Sequence, residues 1–469
     1  MAVSPAMAKL HTLVATSAIY NGQRDDEDYT GVCHPGTRER QLRDLMAWAD
    51  KDPSDKRVQW VYAVAGAGKT AMMRTFCTQL EKKSPHPPPT FFVWKNDTSR
   101  NTLKHLPATI AAQLNCSIPA LALHIENAIN QNPFLLQSNF ETQMDKLVIS
   151  PLLDACDAVK QVRHLIIVID GLDELDAKGL ETFLDFIPSF LSKLSSQSLP
   201  VSLLVSSRPD TNIIGAFEQP ALANITRPTR LGASDEDIWK YLNDKFDDIN
   251  IRFPYLQQTY GGKWPNHAKR ELMIKQSSGL FIWPTVAVDY IKGMGQSKRH
   301  NDRLETVLSA ESVEPWNESP LDRLYKAILN VHAPKDRNSA EFLRFKRRIA
   351  LLCLPANFGE CQIISRQSLI SHASDMSATP ARIVFDETLD KVWDSVADLS
   401  SLFLPRSAPS GRGPPTPTIS HLSFRDFTFN PARCGDLYYS SEKDLRAEVV
   451  CKVVRFFETG HAFQVSCMI

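Results

Sequence analysis

The ten-residue stretch VYAVAGAGKT, from Val61 to Thr70, constrains the fold more than any other part of the chain. It nearly matches the phosphate-binding pattern of Gly, four residues and then Gly-Lys-Ser/Thr. Ala63 replaces the first Gly, and Gly68, Lys69 and Thr70 match the last three positions. The apolar run VQWVYAV precedes this loop, and TAMMRTFCTQL follows it with its apolar residues on one helical face. The order of strand, loop and helix predicts that backbone N–H groups surround a phosphate at the start of a helix.

The loop residues differ in how much backbone freedom they need. Gly66 and Gly68 supply conformations that other residues avoid. Ala63 lies where the strand ends, and a phosphate does not have to approach it as closely as it approaches Gly68. We therefore expect Ala63 to be tolerated. The alternative is a glycine-rich turn without a ligand, which the flanking strand and helix disfavour. The predicted nucleotide contacts are Ala63, Ala65, Gly66, Ala67, Gly68, Lys69 and Thr70.

Four short apolar runs in the first half of the chain predict the sheet that carries this loop. They are RVQWVYAV before the loop, TFFVW (90–94), HLIIVID (164–170) and VSLLVSS (201–207). Runs without polar alternation are typical of strands that are covered on both faces, as in parallel sheets flanked by helices. The sequence therefore predicts an α/β fold with helices on both faces of a parallel sheet.

The second half has a different pattern. Segments such as DEDIWKYLNDKF, GLFIWPTVAVDYIKGM and SPLDRLYKAILNVH place apolar residues at helical spacing, and strand-like runs become scarce after about residue 230. The Pro/Ser/Gly-rich segment PRSAPSGRGPPTPT (405–418) cannot easily form a helix or a central strand, so we predict a surface loop there.

An acidic segment follows the third apolar run, in LIIVIDGLDEL. Asp170 ends the run and is predicted to hold Mg²⁺ through water, opposite the Thr70 hydroxyl. Asp173 or Glu174, on the next turn, could orient the water that attacks the terminal phosphate. The alternative is a solvated acidic turn with no such role, which the presence of the loop makes the weaker interpretation.

The fourth run ends in SSRP, which places Arg208 at the carboxyl edge of the predicted sheet. Ligands of open α/β sheets bind at that edge, so Arg208 is a candidate for contact with the terminal phosphate. An arginine that caps a strand and pairs with a surface carboxylate is the competing interpretation.

Charge and composition limit the partners. Lys plus Arg and Asp plus Glu both number 53, which gives no overall field to attract nucleic acid or a membrane surface. The nine cysteines are scattered and form no Cys-x-x-Cys pair, which suits reduced thiols. The N-terminus lacks a sustained apolar segment, and no run approaches the length of a membrane span. We expect a cytoplasmic protein that binds neither nucleic acid nor membrane.

Together, AVAGAGKT, LIIVIDGLDEL and LLVSSRPD resemble the NACHT domains of STAND signalling NTPases, especially the fungal type with a nephrocystin 3-like N-terminal domain. Flanking segments such as CHPGTRERQLRDLMAWAD, TFFVWKNDTSRNTLKHLPATIAAQL and HLSFRDFTFNPARCGD are similar to other parts of that family. The resemblance runs from about residue 30 to 465. It departs from the family pattern at Ala63, and at Pro284, which should kink its helix or mark its start.

The resemblance implies a domain order. Residues 1–38 would be an N-terminal segment and lead-in, 39–228 the NACHT-type P-loop NTPase and 229–330 a helical domain. Residues 331–430 would be a winged-helix-like domain and 431–469 the start of a further helical region. The sensing repeats that usually follow in this family, and an effector domain ahead of Cys33, are not expected within the 469 residues.

The resemblance also implies a switch that holds ATP or GTP, or the diphosphate, with Mg²⁺. His421 begins the segment HLSFRDF, where the family carries a histidine that can reach the β-phosphate of a bound diphosphate. A structural role at the edge of the core is the alternative for this residue. Protein partners or self-association would accompany signalling or non-self recognition.

Three functions compete. The leading hypothesis is a STAND-type switch with slow hydrolysis of ATP or GTP. The second is a pseudo-NTPase, a nucleotide-stabilised interaction scaffold without turnover. The third is a metabolic phosphotransferase, and its weakness is that the sequence reveals no second substrate pocket.

Overall fold

The computed structural model describes residues 4–22, 31–51, 56–84, 86–95, 97–232, 234–293, 299–310, 318–354, 391–392, 396, 399, 401–406 and 416–458. The chain divides into two compact units, Met1–Ala233 and Ser234–Ile469. The phosphate-loop sequence and the two other motifs at strand ends belong to the first unit.

A five-stranded parallel sheet forms the centre of the first unit. Its strands have the spatial order β2-β3-β4-β1-β5. The four predicted runs are confirmed as strands, and the α/β class is correct. A fifth strand was not predicted. The strands are β1 (Val58–Tyr62), β2 (Thr90–Phe92), β3 (Leu165–Asp170), β4 (Val201–Ser207) and β5 (Thr226–Arg230).

Alternate residues of the central strands enter two separate hydrophobic clusters. In β3, Leu165, Ile167 and Ile169 belong to one cluster, and Ile166 and Val168 belong to the other. Because successive side chains of a strand point to opposite faces, these two clusters lie on opposite sides of the sheet. Both faces are therefore covered, which explains why the strands show no polar alternation.

Helices complete both layers. The helix that follows the phosphate loop, α3, buries Met72, Met73 and Phe76, as its spacing predicts, while Leu80 is only partly buried. The α-helices of the first unit, α1–α11, are Pro5–His11, Glu39–Ala49, Lys69–Lys83, Leu106–Ser117, Ala122–Gln131, Phe140–Met144, Ser150–Asp154, Cys156–Gln161, Ala177–Ser195, Thr211–Glu218 and Pro220–Ala223. A π-helical turn, Asp145–Ile149, joins α6 to α7.

The N-terminal segment packs onto the same unit. Ala6, Met7 and Leu10 of α1 are buried in the cluster that covers one face of the sheet. Ala15 and Ala18 join it from the following turn, which includes the 3₁₀ helix Thr16–Ala18. Residues 4–22 are therefore part of the folded first unit.

The described part of the second unit is mainly helical, as predicted. Ser234 starts α12 with a capping box, since its hydroxyl accepts from the Asp237 N–H at 3.1 Å and the Asp237 carboxylate accepts from the Ser234 N–H at 3.4 Å. Pro284 lies in the first turn of its helix, so it marks the start. Helices α12–α21 are Asp235–Arg252, Tyr255–Tyr260, His267–Ser277, Ile282–Lys292, His300–Ser309, Pro320–His332, Ala340–Leu352, Leu422–Thr428, Pro431–Cys434 and Glu442–Glu458.

The predicted loop at 405–418 is wrong at its two ends. Strands β6 (Phe403–Arg406) and β7 (Thr416–Ile419) pair antiparallel, with Pro405 opposite Pro417. Among the described residues these two strands pair only with each other, and a proline on the unpaired side of a strand removes no ladder hydrogen bond. Residues 407–415, like most of the region 355–400 within the predicted winged-helix domain, lie outside the described residues.

Candidate nucleotide-phosphate site

Strand order brings the predicted motifs to one edge of the sheet. Strand β4 lies between β1 and β3, and all three run parallel. The loop after β1, Asp170 at the end of β3 and Arg208 after β4 therefore meet at the carboxyl edge, where ligands of open α/β sheets bind.

The loop has the backbone that its glycines predict. Gly66 and Gly68 have φ values of 77° and 87°, in the left-handed region. Ala63 is not among the described residues with positive φ. Its N–H donates to the Ser207 carbonyl at 3.2 Å, so its backbone still belongs to the sheet. A glycine is not required at this position, which explains how the loop tolerates Ala63.

Lys69 folds back over the loop that precedes it. Its Nζ donates to the carbonyl of Ala63 at 2.8 Å and to that of Val64 at 3.4 Å. Burial lowers the pKa of Lys69, while the charges of Asp173 and Asp170 act in the opposite direction. The ammonium is thus partly desolvated close to carboxylates, in a position where a phosphate could replace the two carbonyls.

Thr70 lies in the first turn of α3, and Asp170 ends β3. Asp170 Oδ1 accepts from the Ser206 hydroxyl, and the nearby Thr70 side chain, like Ser206, acts to lower the pKa of the Asp170 carboxyl. The Ser206 Oγ in turn accepts from the Gly171 N–H at 3.1 Å. Asp170 is 3% exposed, and desolvation raises its pKa despite these hydrogen bonds. A cation beside this carboxyl would compensate its buried charge, so the pair fits a divalent ion.

Asp173 and Arg208 form an ion pair at the edge of the sheet. Asp173 Oδ2 lies 3.0 Å from Arg208 Nε, and its Oδ1 accepts from the Arg208 backbone N–H at 2.8 Å. The partner of Arg208 is therefore another candidate site residue and not an unrelated surface carboxylate. Because both oxygens of Asp173 contact Arg208, Glu174 is the better candidate to orient a water molecule.

Glu174 is held at one oxygen and has a raised pKa. Its Oε2 accepts from the backbone N–H of Lys95 at 3.1 Å. Desolvation raises the pKa of Glu174 to about 7, the Lys95 hydrogen bond acts against the shift, and Asp173 adds to it. A carboxyl with a pKa near the working pH is suited to accept a proton from water.

Arg38 is a loop contact that the motifs did not identify. Its Nη2 donates to the Ala67 carbonyl at 2.5 Å, its Nη1 donates to the Gly232 carbonyl, and its side chain is buried. The C=O and N–H of a trans peptide point in opposite directions. Arg38 therefore orients the Gly68 N–H away from itself. Arg38 also has a φ of 59°, a strained conformation that its sequence context does not reveal.

Replacing Arg38 should weaken phosphate binding and lower stability together. Arg38→Ala leaves the Ala67 carbonyl without this charged donor, and such bonds contribute about 1.5–3 kcal/mol each. We expect a lower melting temperature and an affinity for nucleotide at least tenfold weaker, measured by calorimetry. Arg40→Ala, which changes an exposed residue in the first turn of the adjoining helix α2, is the control. Unchanged affinity beside a lowered melting temperature would limit Arg38 to a structural role.

His421 lies in the second unit, directly before helix α19. Its Nδ1 accepts from the Ser423 backbone N–H at 3.0 Å and lies 2.7 Å from the Ser423 hydroxyl. That hydroxyl is 2.7 Å from the Tyr325 hydroxyl. Since Nδ1 is an acceptor, the proton of the neutral imidazole is on Nε2. The predicted phosphate contact of His421 stays a prediction.

The side chains available as ligands limit how a metal ion could be held. Within the described residues, no group of three or more His, Cys, Asp or Glu side chains is arranged to hold a metal ion. Thr70 and Asp170 would thus hold Mg²⁺ only together with water and phosphate oxygens, which is how Mg²⁺ is commonly bound in nucleotide sites.

The parallel sheet, the glycine-containing loop at a helix start and the carboxylate on a nearby strand define the first unit as a P-loop NTPase fold. Residues 36–208 match the family model described as nephrocystin 3, N-terminal. That match covers less than half of the chain, from the lead-in before α2 to Arg208.

Several solved structures are similar to the chain at low sequence identity and low TM-score. The Walker-type ATPase PABY2304 of Pyrococcus abyssi is 13% identical with a TM-score of 0.34, over 83% of this chain and 94% of that one. Cdc6p from Pyrobaculum aerophilum is 13% identical with a TM-score of 0.36, over 90% and 95%. The Aeropyrum pernix Orc1 protein, solved in complex with DNA, is 15% identical with a TM-score of 0.35, over 92% and 97%. No curated protein matches the chain.

Among the described helices, none combines the length and apolar character that a bilayer crossing requires. The expectation that the protein binds no nucleic acid stays a prediction.

Proposed function

We propose that the protein is a nucleotide-operated molecular switch that binds ATP or GTP at the loop after β1 and hydrolyses it slowly. The observation that carries this proposal is that the loop with Lys69, the buried Asp170 at the end of β3 and the Asp173–Arg208 ion pair after β4 meet at one edge of the sheet, with Thr70 and Glu174 beside them. These are the residue types that bind phosphate, hold a divalent ion and orient water in NTP hydrolysis.

Each side chain has a proposed task. The backbone of the loop and Lys69 bind the phosphates, and Thr70 with Asp170 holds Mg²⁺, which neutralises phosphate charge when bound. Glu174 orients the attacking water and accepts its proton, which the raised pKa of its carboxyl supports. Arg208 stays paired with Asp173 until a terminal phosphate competes for its guanidinium.

The decisive experiment is a titration of the purified protein with ATP, ADP, GTP and GDP, with and without Mg²⁺, together with a phosphate-release assay. Binding with slow phosphate release supports the switch. Binding without release supports the non-hydrolysing scaffold instead, and no binding of any of the four nucleotides would overturn both proposals.

The signalling role, the winged-helix assignment, the cytoplasmic location and the protein partners or self-association rest on the resemblance to NACHT-domain STAND NTPases. The match to the nephrocystin 3 N-terminal domain supports that resemblance over residues 36–208.

We further propose that His421 donates a hydrogen bond to bound diphosphate. The Nε2–H tautomer, which the Ser423 N–H favours by donating to Nδ1, supports this role. A hydrogen bond to a charged group contributes about 1.5–3 kcal/mol, or roughly ten- to a hundredfold in affinity. His421→Ala should therefore weaken ADP or GDP binding more than binding of the triphosphate, as measured by calorimetry.

A matched variant separates this role from helix capping. His421 caps α19, and Asn is also a good capping residue. His421→Asn should restore the stability lost in His421→Ala without restoring diphosphate affinity. Equal diphosphate affinity in wild type and His421→Ala would reduce His421 to a structural residue.

A further inference from the structure

The backbone N–H that holds the Glu174 carboxylate belongs to Lys95, shortly after the end of strand β2. Glu174 Oε2 accepts from the Lys95 N–H, and the Asn101 side chain donates to the Lys95 carbonyl at 3.2 Å. The Asn101 carbonyl accepts from the Asp176 N–H at 3.2 Å. The position of the Glu174 carboxylate therefore depends on how firmly the turn around residues 97–101 is fixed.

A buried arginine fixes that turn. Arg100, which is 3% exposed, donates from Nε to Asp97 Oδ2 at 2.9 Å and from Nη1 to the Ser17 carbonyl at 2.8 Å. Its guanidinium also lies 4.7 Å from the centre of the Trp94 ring. Asp97 Oδ1 accepts from the Ser99 N–H at 2.9 Å. We call Ser17, Asp97, Ser99 and Arg100 the Arg100 cluster.

The charges of this cluster compensate each other. Desolvation would raise the pKa of Asp97, but hydrogen bonds from Ser99 and the charge of Arg100 outweigh it, and the pKa is lowered. A buried arginine costs free energy unless it is paired. Conformations of the turn that break the pairing of Arg100 with Asp97 and the Ser17 carbonyl would leave a buried charge unpaired, so this one conformation is favoured.

The N-terminal segment supplies one anchor of the cluster. Ser17 donates from its hydroxyl to Asp97 Oδ2 at 3.2 Å, in addition to the carbonyl that Arg100 contacts. The segment is tied to the same region by the Tyr20 N–H, which donates to the hydroxyl of Thr90 in β2 at 3.0 Å. Ser17 lies outside residues 36–208, which match the nephrocystin 3 domain.

We propose that Arg100, anchored on the N-terminal segment at Ser17, is a positioning residue for Glu174. It fixes the backbone whose Lys95 N–H holds the Glu174 carboxylate at the edge of the nucleotide site. The inference rests on the proposed hydrolytic function and adds to it a role for residues 4–22, whose Ser17 contacts the turn.

A pH readout follows from the groups that face Glu174. Asp173 and Asp170 raise its pKa, and Arg208 and the Lys95 N–H lower it. Lys69 is also close enough to interact with its charge. If the turn loosens, Glu174 loses the Lys95 hydrogen bond while the other groups remain. Its pKa should then rise above about 7, because a hydrogen bond to the charged form favours that form.

The experiment compares Arg100→Lys, Asp97→Asn and Ser17→Ala with wild type. We expect the acidic limb of the pH profile of kcat to move upward in Arg100→Lys and Asp97→Asn, and by a smaller amount in Ser17→Ala, with KM for the magnesium nucleotide within about twofold. Ser17→Ala removes only a hydroxyl and keeps the carbonyl that Arg100 contacts, so it serves as the variant least prone to unfold.

Arg270→Lys is the matched control, since Arg270 is also 3% exposed but belongs to the second unit. It should lower stability without moving the pH profile. The positioning role would be overturned if the pH profile moved as far in Arg270→Lys as in Arg100→Lys. It would also be overturned if no variant of the Arg100 cluster moved the profile while hydrolysis still required Glu174. Absence of hydrolysis in wild type would instead refute the proposed function.

A second readout needs no turnover. The pH range over which Glu174→Gln changes the free energy of unfolding reports the pKa of Glu174 directly. Introducing Glu174→Gln into Arg100→Lys should move that range upward relative to its position in wild type. An unmoved range would overturn the inference even if the protein never hydrolyses nucleotide.

Discussion

Lys69→Ala should abolish nucleotide binding while leaving the first unit folded. The Lys69 ammonium is the cation of the loop itself, and it now donates to the carbonyls of Ala63 and Val64. A phosphate that replaces those carbonyls gains a partly desolvated positive charge, and backbone dipoles alone cannot neutralise a triphosphate. At nucleotide about a hundredfold above Kd, wild type should gain about 2.7 kcal/mol of stability. The variant should gain none.

Two further variants make this result specific. Lys69→Met keeps the aliphatic stem and removes only the charge, so it should behave like Lys69→Ala. Lys83→Ala removes an exposed lysine near the end of the same helix, which pairs with Asp50 at 3.4 Å, and should keep the full nucleotide response. A wild-type thermal shift in Lys69→Met would show that the nucleotide binds elsewhere.

Apolar runs predicted the central strands, because a strand that is covered on both faces has almost no choice of residues. The same reasoning could not find β5, whose sequence TRPTR contains one buried residue, Thr226. An edge strand needs neither two apolar faces nor a full hydrogen-bond ladder, so Pro228 is compatible with it. The paired ends of the proline-rich segment escaped prediction for the same reason.

Among the site residues, too, some follow from the sequence pattern and others do not. Motif spacing placed Lys69, Thr70 and Asp170 together, because strand ends and loop geometry leave few positions for them. Arg38 could not be found this way, since its contact with the Ala67 carbonyl depends on a left-handed backbone ahead of α2. Arg100 was missed because its anchor at Ser17 is 83 residues away in sequence and is a backbone carbonyl. No side-chain pattern encodes a contact of that kind.

Glu174→Gln should retain nucleotide binding and lose about a hundredfold or more of phosphate release. The amide keeps the shape of the carboxylate but cannot accept a proton from water, and general-base catalysis of this kind contributes about 10²–10⁴-fold. In wild type, release should fall as pH drops through about 7, because protonation of Glu174 removes the base. Glu181→Gln, an exposed glutamate in the following helix, is the matched control.

The same variant should also reveal the pKa of Glu174 through stability. A carboxyl whose pKa is about 7 in the folded protein, against 4.5 when unperturbed, binds its proton more tightly in the folded state. Wild-type stability should therefore fall as pH rises from about 4.5 to about 7 and then level off. Gln does not titrate, so Glu174→Gln should become progressively more stable than wild type across that range and keep its full advantage above it. Parallel stability curves for the two proteins would mean that Glu174 has an ordinary pKa, and the pH dependence expected for phosphate release would then be wrong.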